Sequence, residues 1–127
     1  MKIYTSYFAR LSKIRKDENL FPISIARFLP KWIEAPVYEY KKLAPSKELL
    51  LDIKNGDISV EEYKQIYKEE VLDNLNPHAL VTHLQNMAPF DKDVVLLCYE
   101  RPGEFCHRSL VVQWFRENGI DCSELRF

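Results

Sequence analysis

Asp93–Glu100 holds the run Val94-Val95-Leu96-Leu97-Cys98-Tyr99, which is apolar on both sides of an alternating chain. A strand covered on both faces has this pattern, so this segment is predicted to be the central strand of a sheet. Lys2–Tyr7 and Pro22–Phe28 are shorter stretches rich in β-branched and aromatic residues, each bounded by polar or Pro-containing sequence, and both predict strands. Ile120–Leu125 predicts a final short one. Helical spacing appears elsewhere. Leu49, Leu50 and Ile53 follow Pro45-Ser46 and stop at Asn55-Gly56, residue types that accept a left-handed cap. Ser59 with Glu62 forms a capping-box pattern ahead of Tyr63, Ile66, Tyr67, Val71 and Leu75. Asn76-Pro77 supplies a cap and a first-turn proline for a helix buried through Leu80, Leu84 and Met87. Cys106–Asn118 places Leu110, Val111, Trp114 and Phe115 on an inner face and ends at Gly119. Residues 29–44, with Pro30, Trp32, Pro36, Tyr38 and Tyr40, hold too many breakers for regular structure and read as a long connection.

Asp93–Leu125 therefore reads strand, loop, helix, strand, the order of a βαβ unit in a mainly parallel sheet. The expected fold class is α/β, a single domain over residues 1–127 with a sheet of about four strands flanked by helices. In such sheets ligands bind beyond the carboxyl ends of the strands, where loops enter helix N-termini. Ser6-Tyr7, Arg27-Phe28 and Cys98–Glu100 would all arrive at that edge, beside the loop Glu100–Phe105.

Composition narrows the partners. The 127 residues are 46% hydrophobic and 29% charged, with a formal net charge of −1. That is a folded globular balance with no overall attraction to nucleic acid or anionic lipid. No stretch approaches the roughly 20 apolar residues of a membrane span and the N-terminus lacks a secretory run, so a cytoplasmic protein with no membrane partner is expected. The cluster Arg10, Lys13, Arg15 and Lys16 beside Tyr7 and Phe8 offers a nucleic-acid backbone contact, but reads better as a solvated basic loop. Oligomeric state is not encoded in any feature of the chain. The three cysteines cannot all pair within the chain, and in a reducing compartment they read as thiols, metal ligands or catalytic groups rather than cross-links.

The chemistry concentrates in Cys98-Tyr99-Glu100-Arg101-Pro102-Gly103-Glu104-Phe105-Cys106-His107-Arg108. Cys106 falls at a helix start, where unpaired backbone N–H groups and the dipole favour a thiolate, making it the better nucleophile. His107 is a candidate partner, and Glu100, which ends the central strand, a candidate acid or base. Pro102 and Gly103 with the helix N-terminus, plus Arg108 and Arg27, would cradle an anion, with Ser6 and Tyr7 at the same edge. Consecutive helix residues point about 100° apart, so the triplet cannot all face one atom. Against this stands a purely structural use, with Cys106 a small cap residue, His107 a surface group and Arg108 a salt-bridge partner for Glu100 or Glu104. A zinc site asks for four ligands at paired spacings; Cys98, Cys106 and His107 offer three, no Cys-x-x-Cys occurs, and Cys122 or His78 would join only through the tertiary fold. A Cys98–Cys106 redox pair is a further alternative, although Cys98 lies in an apolar run where a buried small hydrophobe is expected. The residues point to no cofactor and no metal. His78 and His83, on or beside a helix, read as surface or satisfied core histidines, and Trp32 as loop packing or a pocket wall.

This segment resembles the family known as domain of unknown function 488, whose members carry a Cys-x-Glu, a Pro-containing loop and a Cys-His-Arg triplet in this order. The resemblance extends to Tyr4–Arg10, to Ile23–Phe28 with Pro30, and to Lys42–Ser46. Many members have an acidic residue shortly before the arginine of the second strand, and Ile23–Ala26 contains none. The resemblance sharpens the site without naming a reaction. Two readings follow: a small enzyme or ligand-binding protein acting on a phosphorylated or nucleotide-like anion, and a non-catalytic binding or regulatory module in which Cys-His-Arg latches loop to sheet.

Overall fold

A computed structural model of the chain describes residues 1–33, 35–99 and 106–126. Its elements are β1 (Ile3–Tyr7), α1 (Leu11–Lys16), β2 (Leu20–Ser24), β3 (Tyr38–Glu39), α2 (Lys47–Lys54), α3 (Val60–Glu70), α4 (Pro77–Met87), β4 (Asp93–Cys98), α5 (His107–Glu117) and β5 (Cys122–Glu124). The strands form one sheet in the order β3-β2-β4-β1-β5, and every pairing is parallel. The α/β class and parallel sheet are as expected, with five strands in place of about four.

The apolar run of β4 is explained by its place between β2 and β1. Val94, Leu96 and Cys98 enter one core, with Tyr67, Leu84, Val111 and Phe115 of the later helices. Val95 and Leu97 enter a second, on the other face, with Phe8, Leu11 and Ile14. Two of the helix starts that the sequence marked show the caps expected there. Ser59 Oγ accepts from Glu62 N and the Glu62 carboxylate accepts from Ser59 N, while Asn76 Oδ1 accepts from His78 N and Ala79 N.

Three expectations are corrected. The basic stretch expected as a solvated loop contains α1, because Leu11 and Ile14, three apart, bury against the sheet while Lys13, Arg15 and Lys16 stay in water. The strand expected over Pro22–Phe28 runs from Leu20 to Ser24; beyond it Ser24 Oγ accepts from Ala26 N and turns the chain. Pro22 is tolerated because β3 pairs only with Ile23 and Ser24, so no ladder bond is asked of its missing N–H. The connection over residues 29–44 contains β3, two exposed residues on the sheet edge. Among the described residues no helix is long and apolar enough to cross a membrane.

α1, which follows β1, covers one face of the sheet, and α5, which follows β4, covers the other. β1 and β4 are adjacent, with Tyr7 opposite Cys98 at their carboxyl ends. Departure of neighbouring strands to opposite faces defines the crevice where open α/β sheets bind ligands.

Candidate functional site

At that crevice the first turn of α5 meets the ends of β1, β4 and β5. Cys106 is the residue before the helix, with extended backbone (φ −149°, ψ 147°) and no side-chain capping bond. His107 is the first helical residue. The change from extended to helical backbone between them lets the two side chains converge, which successive positions inside a helix do not.

His107 Nε2 lies 2.9 Å from Ile25 O. A carbonyl only accepts, so Nε2 carries the proton and Nδ1 presents its lone pair. Nδ1 stands 3.8 Å from Cys106 Sγ. Burial pushes the His107 pKa down to about 4, the Ile25 hydrogen bond opposes the shift and the Arg108 cation adds to it, so the ring is neutral at pH 7. Tyr67 packs on the ring at 5.6 Å between centroids and donates its own hydroxyl proton to Leu43 O at 2.6 Å. The sulfurs of Cys98 and Cys106 meet as a disulfide, with Cα atoms 7.4 Å apart.

Arg108 is buried, with 4% of its surface exposed. Its Nε donates to Glu124 Oε1 at 3.0 Å and its Nη2 to Oε2 at 3.3 Å, while Nη1 reaches Cys98 Sγ at 3.4 Å. The guanidinium also lies over the Tyr7 ring, 5.6 Å from its centroid. Thr5 Oγ1 donates to Glu124 Oε1 at 2.7 Å, which fixes the carboxylate.

An open cleft of about 1100 Å³ runs along α5 from this point, lined by Cys106, Arg108, Ser109, Val112, Gln113, Arg116 and Glu117 on the helix side and by Tyr4, Thr5, Ser123, Glu124, Leu125 and Arg126 opposite. Three arginines and two glutamates therefore line its walls.

The structure thus brings together Cys106, His107, Arg108 and Tyr7 with Cys98. Ser6 is separated from them: the pleat sends it to the opposite face beside Leu97 and Ser24, where Ser6 Oγ is buried with no hydrogen-bond partner among the described residues. Arg27 is also turned away, its Nε donating to Pro45 O at 2.9 Å and its Nη2 to Ala44 O at 3.4 Å. Glu100, Pro102 and Gly103 lie outside the described residues, as does the rest of the loop through Phe105. His78 and His83 are exposed on α4, and Trp32 is 60% exposed. Sequence reasoning did not reach Glu124, Thr5, Arg116 and Arg126. Glu124 is sixteen positions from Arg108, a separation with no local signal.

A family model described as "DUF488-N3a: Active DUF488-N3 subclade" matches residues 6–119. No curated protein and no solved structure matches the chain.

Proposed function

Since the chain belongs to the DUF488 family, matched over residues 6–119, we propose that it is a small enzyme whose nucleophile is the Cys106 sulfur, held as a thiolate, and whose substrate, bound in the cleft along α5, is a small phosphorylated or nucleotide-like molecule. The single observation that carries this reading is the neutral His107, with its Nε2–H fixed on Ile25 O and its Nδ1 directed at Cys106 Sγ. In the reduced protein an imidazole so held is a hydrogen-bond acceptor beside the sulfur; because burial keeps the ring neutral, the Cys106 proton is lost to water and the thiolate is held by the helix N-terminus and the cleft cations. Three features support it. Cys106 opens an eleven-residue helix, whose N-terminal dipole favours negative charge. Arg116 and Arg126 give the cleft cations for an anionic group, with Glu117 on the same wall, while Arg108 is paired with Glu124. The matched subclade is described as active.

A second reading has its own observation. The Cys98–Cys106 link, the His107–Ile25 bond and the Arg108–Glu124 pair tie the first turn of α5 to the strand ends, which is what a non-catalytic latch would do. Reactivity separates the two, since a latch has no use for a nucleophile.

The test uses reduced, chelator-treated protein and two probes, anionic iodoacetate and neutral iodoacetamide, with alkylation at Cys106 read by mass spectrometry. The enzyme reading expects Cys106 to prefer iodoacetate relative to the ratio shown by glutathione, Arg116→Ala to erase that preference, and AMP to slow labelling. A Cys106 that labels without preference for the anion and ignores AMP contradicts an anionic substrate. One that does not label at all leaves the latch.

A further inference from the structure

We propose that in the reduced protein Cys98, Cys106 and His107 form a binding site for a thiophilic divalent cation, Zn²⁺ in the first instance. The inference does not rest on the enzyme reading.

The donor atoms, two sulfurs and one imidazole nitrogen, all lie within 4.8 Å of one another and all three residues are buried. Such a soft, mixed sulfur and nitrogen set suits tetrahedral Zn²⁺ rather than Mg²⁺ or Ca²⁺. The backbone separation fits as well. With metal–sulfur bonds of about 2.3 Å at tetrahedral angles, two thiolates stand about 3.8 Å apart. The 7.4 Å between Cα atoms accommodates that spacing.

The imidazole is arranged as a ligand is. Metal-bound histidines almost always donate the other ring N–H to a carbonyl, carboxylate or water, which fixes the tautomer and aims the free lone pair. His107 does so through Nε2–H to Ile25 O, leaving Nδ1 on the sulfur side. Arg108 Nη1, 3.4 Å from Cys98 Sγ, supports a thiolate there. No fourth Cys, His, Asp or Glu among the described residues joins the group, and three protein donors is the number that catalytic zinc sites use.

Disulfide and metal-bound dithiolate are two states of one cysteine pair. Two electrons and two protons from a thiol reductant, itself left as a disulfide, give two thiols. The ion then displaces both thiol protons into the buffer. A coordinated sulfur is not free to form the disulfide, so metal binding and oxidation compete for the same cysteine pair.

The experiment is titration of the full chain, reduced with a phosphine and freed of metal, with Co²⁺ alone. The expected result is a set of tetrahedral cobalt bands with sulfur-to-cobalt charge transfer, saturating at one ion per chain and bleached by Zn²⁺. Cys98→Ser and Cys106→Ser should lose the charge-transfer bands. His107→Ala should weaken binding by more than the roughly 10–100-fold that loss of an outer-shell partner costs. Cys122→Ala, at the free buried cysteine outside the cluster, should change nothing. If the cluster variants do not fold, the wild-type readout decides, because Zn²⁺ that binds the folded state must raise the melting temperature of the reduced protein. A folded, reduced chain that shows neither cobalt bands nor this rise overturns the site. So do charge-transfer bands that survive in both cysteine variants. Cobalt bands with an unreactive Cys106 in the metal-free protein would keep the site and remove the enzyme reading; the reverse pair of results would do the opposite.

Discussion

His107 is neutral because it is buried, and that has a consequence for stability. Its folded pKa lies at about 4, below the usual 6.5 or so of an unfolded histidine. As the pH falls below 6.5 the unfolded chain takes the proton first, so the contribution is fully present above 6.5 and is lost progressively down to about 4. The size is on the order of 3 kcal/mol. In metal-free protein, His107→Gln should flatten the fall in urea-derived stability between pH 6.5 and 4 by about that amount. An unchanged slope would mean the ring is not held neutral. Arg108 acts through its neighbours. Removing it leaves the Glu124 carboxylate without its bidentate partner, but Glu124 keeps 31% of its side-chain surface in water. Arg108→Ala should therefore cost about 2–3 kcal/mol in urea denaturation, below the 3–5 kcal/mol of a fully buried pair. A loss near zero would mean that the pair does not hold the start of α5.

Among the elements, α3 has the clearest local specification. Its two reciprocal capping bonds predict that Ser59→Ala lowers stability by about 1 kcal/mol, read as a shift in thermal midpoint. Glu62→Ala, which leaves the Ser59 Oγ bond in place, should cost less. The same logic shows what was legible. Capped helices with apolar stripes announce themselves, and so does a strand such as β4 that is apolar on both faces. α1 does not: six residues with only Leu11 and Ile14 buried carry too short a period to separate from a basic loop. β3 has no pattern at all, since two exposed residues are held there by pairing with Ile23 and Ser24. The start and end of β2 are set by its neighbours and by the Ser24 turn, neither of which is local in sequence.

At the scale of the whole molecule, the site is a product of topology. The parallel order puts Tyr7 opposite Cys98, and the crossover through α5 returns Cys106, His107 and Arg108 to the same point. The sequence marked this edge because several strand ends carried reactive residues. It did not sort them by face, so Ser6 and Arg27 were grouped with side chains from which the pleat and the Pro45 carbonyl separate them. Nor did it show that three donors with no paired spacing become one cluster, because that depends on the change from extended to helical backbone at Cys106.

The central claim is that this arrangement holds Cys106 as a thiolate reachable from the cleft. Its most direct test is the rate of Cys106 alkylation by iodoacetamide at pH 7, in reduced and metal-free protein, measured folded and again unfolded in urea as the reference for the same residue. An ordinary thiol is only a few per cent thiolate at that pH. The account predicts that folding accelerates the reaction, by up to about 30-fold if ionisation becomes complete, even though Cys106 is 4% exposed. A rate that falls on folding would make Cys106 a packing residue and leave the latch.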